Sequence, residues 1–142
     1  MILLDAYAVL ALARGEGPAD EVEEIVRAHD CAMSAANYFE VADRLQRLWG
    51  WSKDDTSERF ARLFGEPVRV LPFDEATAWH GADIRARHYE RNTCALSLAD
   101  CALLASAGPD DSIATADPAV AFVARAEGIG LIPLPDSSGQ RP

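Results

Sequence analysis

The stretch Ile2-Leu3-Leu4-Asp5-Ala6-Tyr7-Ala8-Val9-Leu10-Ala11-Leu12 decides how the rest of the chain is read. Three apolar residues run straight into a carboxylate, and an apolar stretch of helical character follows at once. In an open parallel α/β sheet, groups at the carboxyl ends of the strands face a common crevice, and ligands sit in that crevice. Asp5 is therefore a candidate floor residue of a site, and the question becomes whether other carboxylates reach the same edge.

Working outward, residues 6–13 read as a short helix, broken at Arg14-Gly15-Glu16-Gly17-Pro18. Pro18 suits the first turn of a helix over 19–29, with Val22, Ile25 and Val26 on one face. Cys31-Ala32-Met33 is a short buried strand, and Ser34 caps a helix over 35–49 whose apolar stripe is Phe39, Val41, Leu45 and Leu48. Gly50 stops it. Ser52 caps a helix to Phe64, with Phe60, Leu63 and Phe64 apolar and Gly65 as its end, and 67–71 form a strand. Asp74 caps a long helix over 75–91 that carries Trp79 and Ile84, with a turn at Asn92-Thr93. Ser97-Leu98-Ala99-Asp100 has the form of a capping box, opening a helix to Ser106. A strand over 112–115 leads to Asp117-Pro118, the start of the last helix, which runs to Glu127 before Gly128. The final strand, 131–134, is flanked by prolines and expected at an edge. Residues 1–135 thus read as one domain and 136–142 as a loose, flexible tail. Strands alternate with helices throughout, which implies an α/β protein with a parallel sheet of about five strands covered on both faces.

Of 142 residues, 49% are hydrophobic and 25% charged, an ordinary globular balance with enough apolar surface for a core. The net charge is −10, from 23 acids against 13 bases, and Lys53 is the one lysine. So acidic a chain is a poor general polyanion binder; a nucleic-acid ligand requires metal ions to offset the acids or arginines clustered locally. Cys31, Cys94 and Cys101 form no CxxC and sit among apolar residues, as expected of reduced, buried thiols in a cytoplasmic protein. There is neither a signal peptide nor an apolar run near the ~18 residues of a membrane helix.

Four acids stand at element junctions: Asp5 ends the first strand, Glu40 lies in the second turn after the second, Asp100 lies in the first turn of its helix, and Asp117 follows the strand 112–115. With parallel strands all four lie near one edge. Carboxylates held close together repel one another unless a cation joins them, and such oxygen-only sets suit Mg²⁺ or Mn²⁺. Each acid also has a local role open to it: Asp117 as an N-cap before proline, Asp100 as part of the capping box, Glu40 as a complement to the helix dipole, Asp5 as a cap. Spacing alone carries the reading to a possible divalent-metal site.

At the same residues the sequence resembles the PIN-domain ribonucleases, most closely the VapC-type toxins of bacterial toxin–antitoxin pairs. Leu3 to Leu12 is similar to the family's first motif, and Met33-Ser34-Ala35-Ala36-Asn37-Tyr38-Phe39-Glu40-Val41 to the second. Leu96-Ser97-Leu98-Ala99-Asp100-Cys101 resembles the third, and Ile113-Ala114-Thr115-Ala116-Asp117-Pro118 the fourth. The resemblance implies a three-layer α/β/α fold and a metal-dependent endoribonuclease. It assigns catalysis and metal binding to Asp5, Glu40, Asp100 and Asp117, and it implies a VapB-like antitoxin that masks the site and a toxin homodimer. Family members often carry a serine or threonine just after the first aspartate, where this chain has Ala6 and Tyr7; Ser97 and Thr115 remain as hydroxyls able to support the ligands.

The chemistry so implied is hydrolysis, with one or two Mg²⁺ or Mn²⁺ ions, a bound water made nucleophilic, and in-line attack on an RNA phosphorus. No histidine is needed as a base; His29, His80 and His88 fall within or at the ends of helices. Arg85, Arg87 and Arg91, with His88, could clamp RNA phosphates, or could simply complement a helix C-terminus. Trp49 and Trp51 with Arg44 and Arg47 form a second patch, open to stacked bases, core packing, a dimer face or an antitoxin groove. The competing readings are a nuclease of the same fold that processes RNA or DNA without an antitoxin, and a catalytically weak member that only binds RNA or a partner. Phosphotransfer at an aspartate fits poorly, because position 7 is tyrosine and no lysine follows Lys53; no Gly-Lys-Ser/Thr marks a P-loop.

Overall fold

The computed structural model describes residues 1–63 and 68–142, without the side chain of Leu63. The expected apolar positions Leu63 and Phe64, the stop at Gly65 and the strand start at Pro67 lie outside the described residues. Within them the order is β1 (Ile2–Leu4), α1 (Ala6–Arg14), α2 (Ala19–Ala28), β2 (Cys31–Ser34), α3 (Ala35–Arg47), α4 (Lys53–Leu63) and β3 (Val68–Leu71). Then come α5 (Glu75–His88), α6 (Leu98–Ser106), β4 (Ser112–Thr115), α7 (Pro118–Ala126) and β5 (Gly130–Pro133).

The five strands form one all-parallel sheet in the order β3-β2-β1-β4-β5, with Leu3 opposite Ala32 on one side and Ile113 on the other. From β1 the chain winds outward through β2 to β3, then crosses back to β4 and out to β5. The strand order therefore reverses between β1 and β4, and that point opens a crevice at the carboxyl ends.

Alternation along the central strands divides the core into two layers. Ile2, Leu4, Cys31 and Met33 pack with α1 to α4 through Val9, Val22, Leu45 and Phe60. Leu3 and Ile113 face the other way, onto Ile84, Leu103, Leu104, Val120 and Val123 of α5 to α7. The expected α/β/α sandwich follows. Gly81 lets α5 lie close on α6, since a Cβ there would stand 3.2 Å from the Cys101 carbonyl oxygen.

The capping residues start their helices where the sequence places them. The Ser34 hydroxyl accepts from the Asn37 amide at 3.1 Å, and the Asp74 carboxylate from the Thr77 amide at 2.9 Å. Ser97 and Asp100 complete a reciprocal capping box, and Pro118 follows the Asp117 cap. Helix ends are less faithful to the reading. α3 stops at Arg47, two residues short of the expected 49. α5 stops at His88 instead of 91, because Tyr89 turns extended and Glu90 pairs antiparallel with Cys94 around Asn92 and Thr93. The α3 stripe is also corrected: Val41 and Leu45 are fully buried, but Phe39 is 72% and Leu48 55% exposed, since the sheet meets only one side of α3. Trp79 is likewise 72% exposed. All three cysteines are free and buried. No described helix is long and apolar enough to cross a membrane.

Candidate active site

Asp5 follows β1 at the switch point, with its backbone amide still bonded to the Ala114 carbonyl of β4 at 3.1 Å. It stands at the N-cap of α1, yet its side chain makes no cap bond. The carboxylate instead accepts the Thr115 hydroxyl at 2.6 Å, in the interior. The same Thr115 oxygen accepts the Asp117 amide at 3.0 Å, so one hydroxyl ties the ends of β1 and β4 together. Burial pushes the Asp5 carboxyl up to about 7; the Thr115 hydroxyl and the Ala6 amide pull against that rise, and Asp100 and Asp117 add to it.

Asp117 spends one oxygen on the Ala119 and Val120 amides, at 2.7 and 3.2 Å. Asp100 spends one on the Ser97 amide at 2.7 Å. Their capping roles are real, and each leaves its second oxygen without a hydrogen bond among the described residues. Glu40 is half-buried and pairs with Arg44, one helical turn on, at 2.7 Å. Burial raises its pKa, with Arg44 opposing and Asp100 and Asp43 reinforcing.

All four acids line one cavity of about 420 Å³, with Tyr7, Arg44, Ser97, Asp136 and Ser137 among its other walls. The topology thus brings together four acids up to 112 positions apart. Among the described residues, however, no three acidic, histidine or cysteine side chains stand close enough to form a ready metal cage. The chemistry of the donors still fits a hard divalent cation: every candidate ligand is a carboxylate oxygen, and a buried Asp5 facing two further acids gains most from a neighbouring positive charge. The Glu40 bond to Arg44 competes with such a role.

Arg85, Arg87 and Arg91 do not line this cavity. Arg85 lies 4.1 Å over the Tyr89 ring and borders a neighbouring apolar groove that meets the cavity at Glu40 and Ser97. Arg87 pairs with Glu127 and with Asp83, the latter at 3.2 Å. Arg91 is exposed beyond the end of α5. Three wall residues escaped the reading of the sequence. Arg44 enters the sequence analysis only in the tryptophan patch, although its spacing of four from Glu40 puts both on one helix face. Asp136 and Ser137 carry no local signal; Asp136 is positioned by accepting the Ser138 and Gln140 amides at 2.8 and 2.9 Å. Tyr7 donates its hydroxyl to the Pro135 carbonyl at 3.2 Å, which fastens the same segment to α1.

The PIN domain family model matches residues 2–132. No curated protein matches the sequence. Among solved structures, FitAcB from Neisseria gonorrhoeae is 24% identical with a TM-score of 0.63, covering 93% of this chain and 96% of that one. A toxin–antitoxin complex from Klebsiella pneumoniae is 17% identical with a TM-score of 0.61, over 82% and 87%. VapC20 from Mycobacterium tuberculosis, described as a sarcin-ricin loop cleaving toxin, is 20% identical with a TM-score of 0.59, over 91% and 85%. At these identities the likeness is one of fold.

Proposed function

This chain belongs to the PIN domain family, and from that premise and its shared acid cavity we propose that it is the toxin of a toxin–antitoxin pair, a cytoplasmic endoribonuclease that cuts cellular RNA with Mg²⁺ or Mn²⁺. The observation that carries the reading is Asp5: a buried carboxylate, held by Thr115 and pushed up to about 7, whose side chain makes no cap bond to α1 and which shares one cavity with other acids. A buried acid crowded by other acids in a cleft is the mark of a functional site.

Asp5, Asp100, Asp117 and Glu40 would hold the cation, which when bound would supply a nucleophilic water and charge for the leaving oxygen. Thr115 holds one oxygen of Asp5, and the Ser97 and Ala119 amides hold one oxygen each of Asp100 and Asp117, so the fold orients these three carboxylates, while Glu40 pairs with Arg44. Arg85, Arg87 and Arg91 add positive charge at the end of α5 for RNA phosphates.

The fold neighbours named as toxin–antitoxin complexes support a partner that covers the cavity, and a short DNA-binding protein encoded directly upstream would be its source. Phe39, Phe73 and Leu98, all exposed and all on the groove between α3, α5 and α6, support a homodimer across that groove.

Expression of the wild type beside Asp5→Ala, followed by mapping of new RNA 5′ ends, tests the reading. New ends in the wild type alone, lost in chelator, support it. RNA left intact by the wild type, or cut equally by Asp5→Ala, overturns it.

A further inference from the structure

We propose that the depression beside the acid cavity is a nucleotide subsite, holding the nucleotide next to the cleaved bond with its base at Trp49 and Arg14 and its phosphate at Arg44. The proposal deepens the ribonuclease reading above and rests on it.

The depression has a volume of about 330 Å³ and is lined by Tyr7, Leu10, Arg14, Arg44, Trp49 and Ser137, among others. Tyr7, Arg44 and Ser137 also line the acid cavity, so the two spaces share a wall. The acid cavity presents Asp5, Glu40, Asp100, Asp117 and Asp136, and among the described residues Arg44 is the one basic side chain in its lining. A phosphodiester approaching five carboxylates finds attraction at Arg44. That guanidinium is free to change partners: its side chain is 46% exposed and its bond to Glu40 is a single i,i+4 pair.

The far side of the depression suits a base. Trp49 packs against the α1–α4 core, which fixes its ring, and the Arg14 guanidinium lies 4.4 Å over that ring. Aromatic faces and guanidinium planes are the surfaces on which unstacked RNA bases rest. The pair that holds Arg14, with Glu16, involves a carboxylate 57% exposed and so resists little. A base resting here and a phosphate on Arg44 would lead the strand directly into the acid cavity, and a duplex, with its bases stacked inside, could not enter.

The test uses the non-cleaving Asp5→Asn chain and a labelled single-stranded RNA hexanucleotide pool of random sequence. Trp49→Ala should weaken binding about 5- to 100-fold, with Trp49→Phe restoring most of it. Arg44→Gln should lower the slope of log affinity against log salt by about 0.7. In the chain with Asp5 intact, Trp49→Ala should relax base preference at one position flanking the cut and at no other. If Trp49→Ala does not fold, the exposed Arg14→Gln and Arg44→Gln decide. Wild-type cleavage with affinity, salt slope and base preference unchanged in these variants overturns the subsite alone; so does loss of binding to a partner protein with RNA binding intact. A wild type that neither binds nor cuts RNA overturns the ribonuclease reading and the subsite with it.

Discussion

The Thr115 hydroxyl donates to the buried Asp5 carboxylate at 2.6 Å, joining residues 110 positions apart at the ends of two adjacent parallel strands. Because that oxygen also accepts the Asp117 amide, one side chain orients two of the four cavity acids. Thr115→Val keeps the shape and removes both bonds, leaving the buried Asp5 carboxylate without its hydroxyl donor and the Asp117 amide without its acceptor. It should cost roughly 1–3 kcal/mol in urea denaturation at neutral pH, while Thr115→Ser should cost far less. Cleavage should fall in the valine variant more than its stability loss accounts for.

Asp5→Asn should do the opposite to stability. The displacement of Asp5 from 3.8 to about 7 reflects a buried charge that the fold tolerates at a cost, roughly 4 kcal/mol as an upper bound. The amide can still accept the Thr115 hydroxyl, so in chelator at pH 8 the variant should melt higher than the wild type and show no cleavage. Mn²⁺ should raise the wild-type melting temperature and leave the variant's nearly unmoved. A variant that melts lower than the wild type would show that the cavity acids are not in conflict.

Glu127, at the end of α7, meets both His88 and Arg87 of α5. The His88 hydrogen bond first, then Arg87, hold its carboxyl below its ordinary 4.5. A depressed carboxyl contributes stability above its unfolded value and loses it as pH falls through the folded value. Glu127→Gln should therefore be less stable than the wild type at pH 6–7, by up to about 1 kcal/mol given partial exposure. The gap should begin to close as pH drops below about 4.5 and vanish in stronger acid, as read from urea curves at stepped pH.

Phe39 and Leu98 are 72% and 74% exposed on the rim of one apolar groove. Phe39→Glu and Leu98→Glu should leave the melting curve of the isolated chain nearly unchanged, because neither side chain supports its core. In light scattering at matched concentration each should shift the particle from the mass of two chains to that of one. Unshifted mass in both variants would remove the groove as a dimer face.

The sequence by itself determined the local starts and the layer plan. Ser34, Asp74, Ser97 and Asp117 cap because a short polar side chain beside free helix amides has an immediate partner, and that needs only neighbours in the chain. The short apolar runs of β1, β2 and β4, separated by helices, fixed a parallel sheet, and the junction acids were visible because the strand ends are. Tertiary structure alone decided which acid is costly. The Asp5 carboxylate is buried against Thr115 and two acids drawn from three other elements, whereas Asp117, equally acidic in the sequence, stays at the surface. It also decided that Phe39 faces outward, that Arg44 and the Asp136–Ser137 turn wall the cavity, and that α5 yields to the Glu90–Cys94 bridge. Caps and periodicity are set over a few residues; desolvation and charge repulsion depend on what the folded sheet brings within a few ångströms, and no local pattern records it.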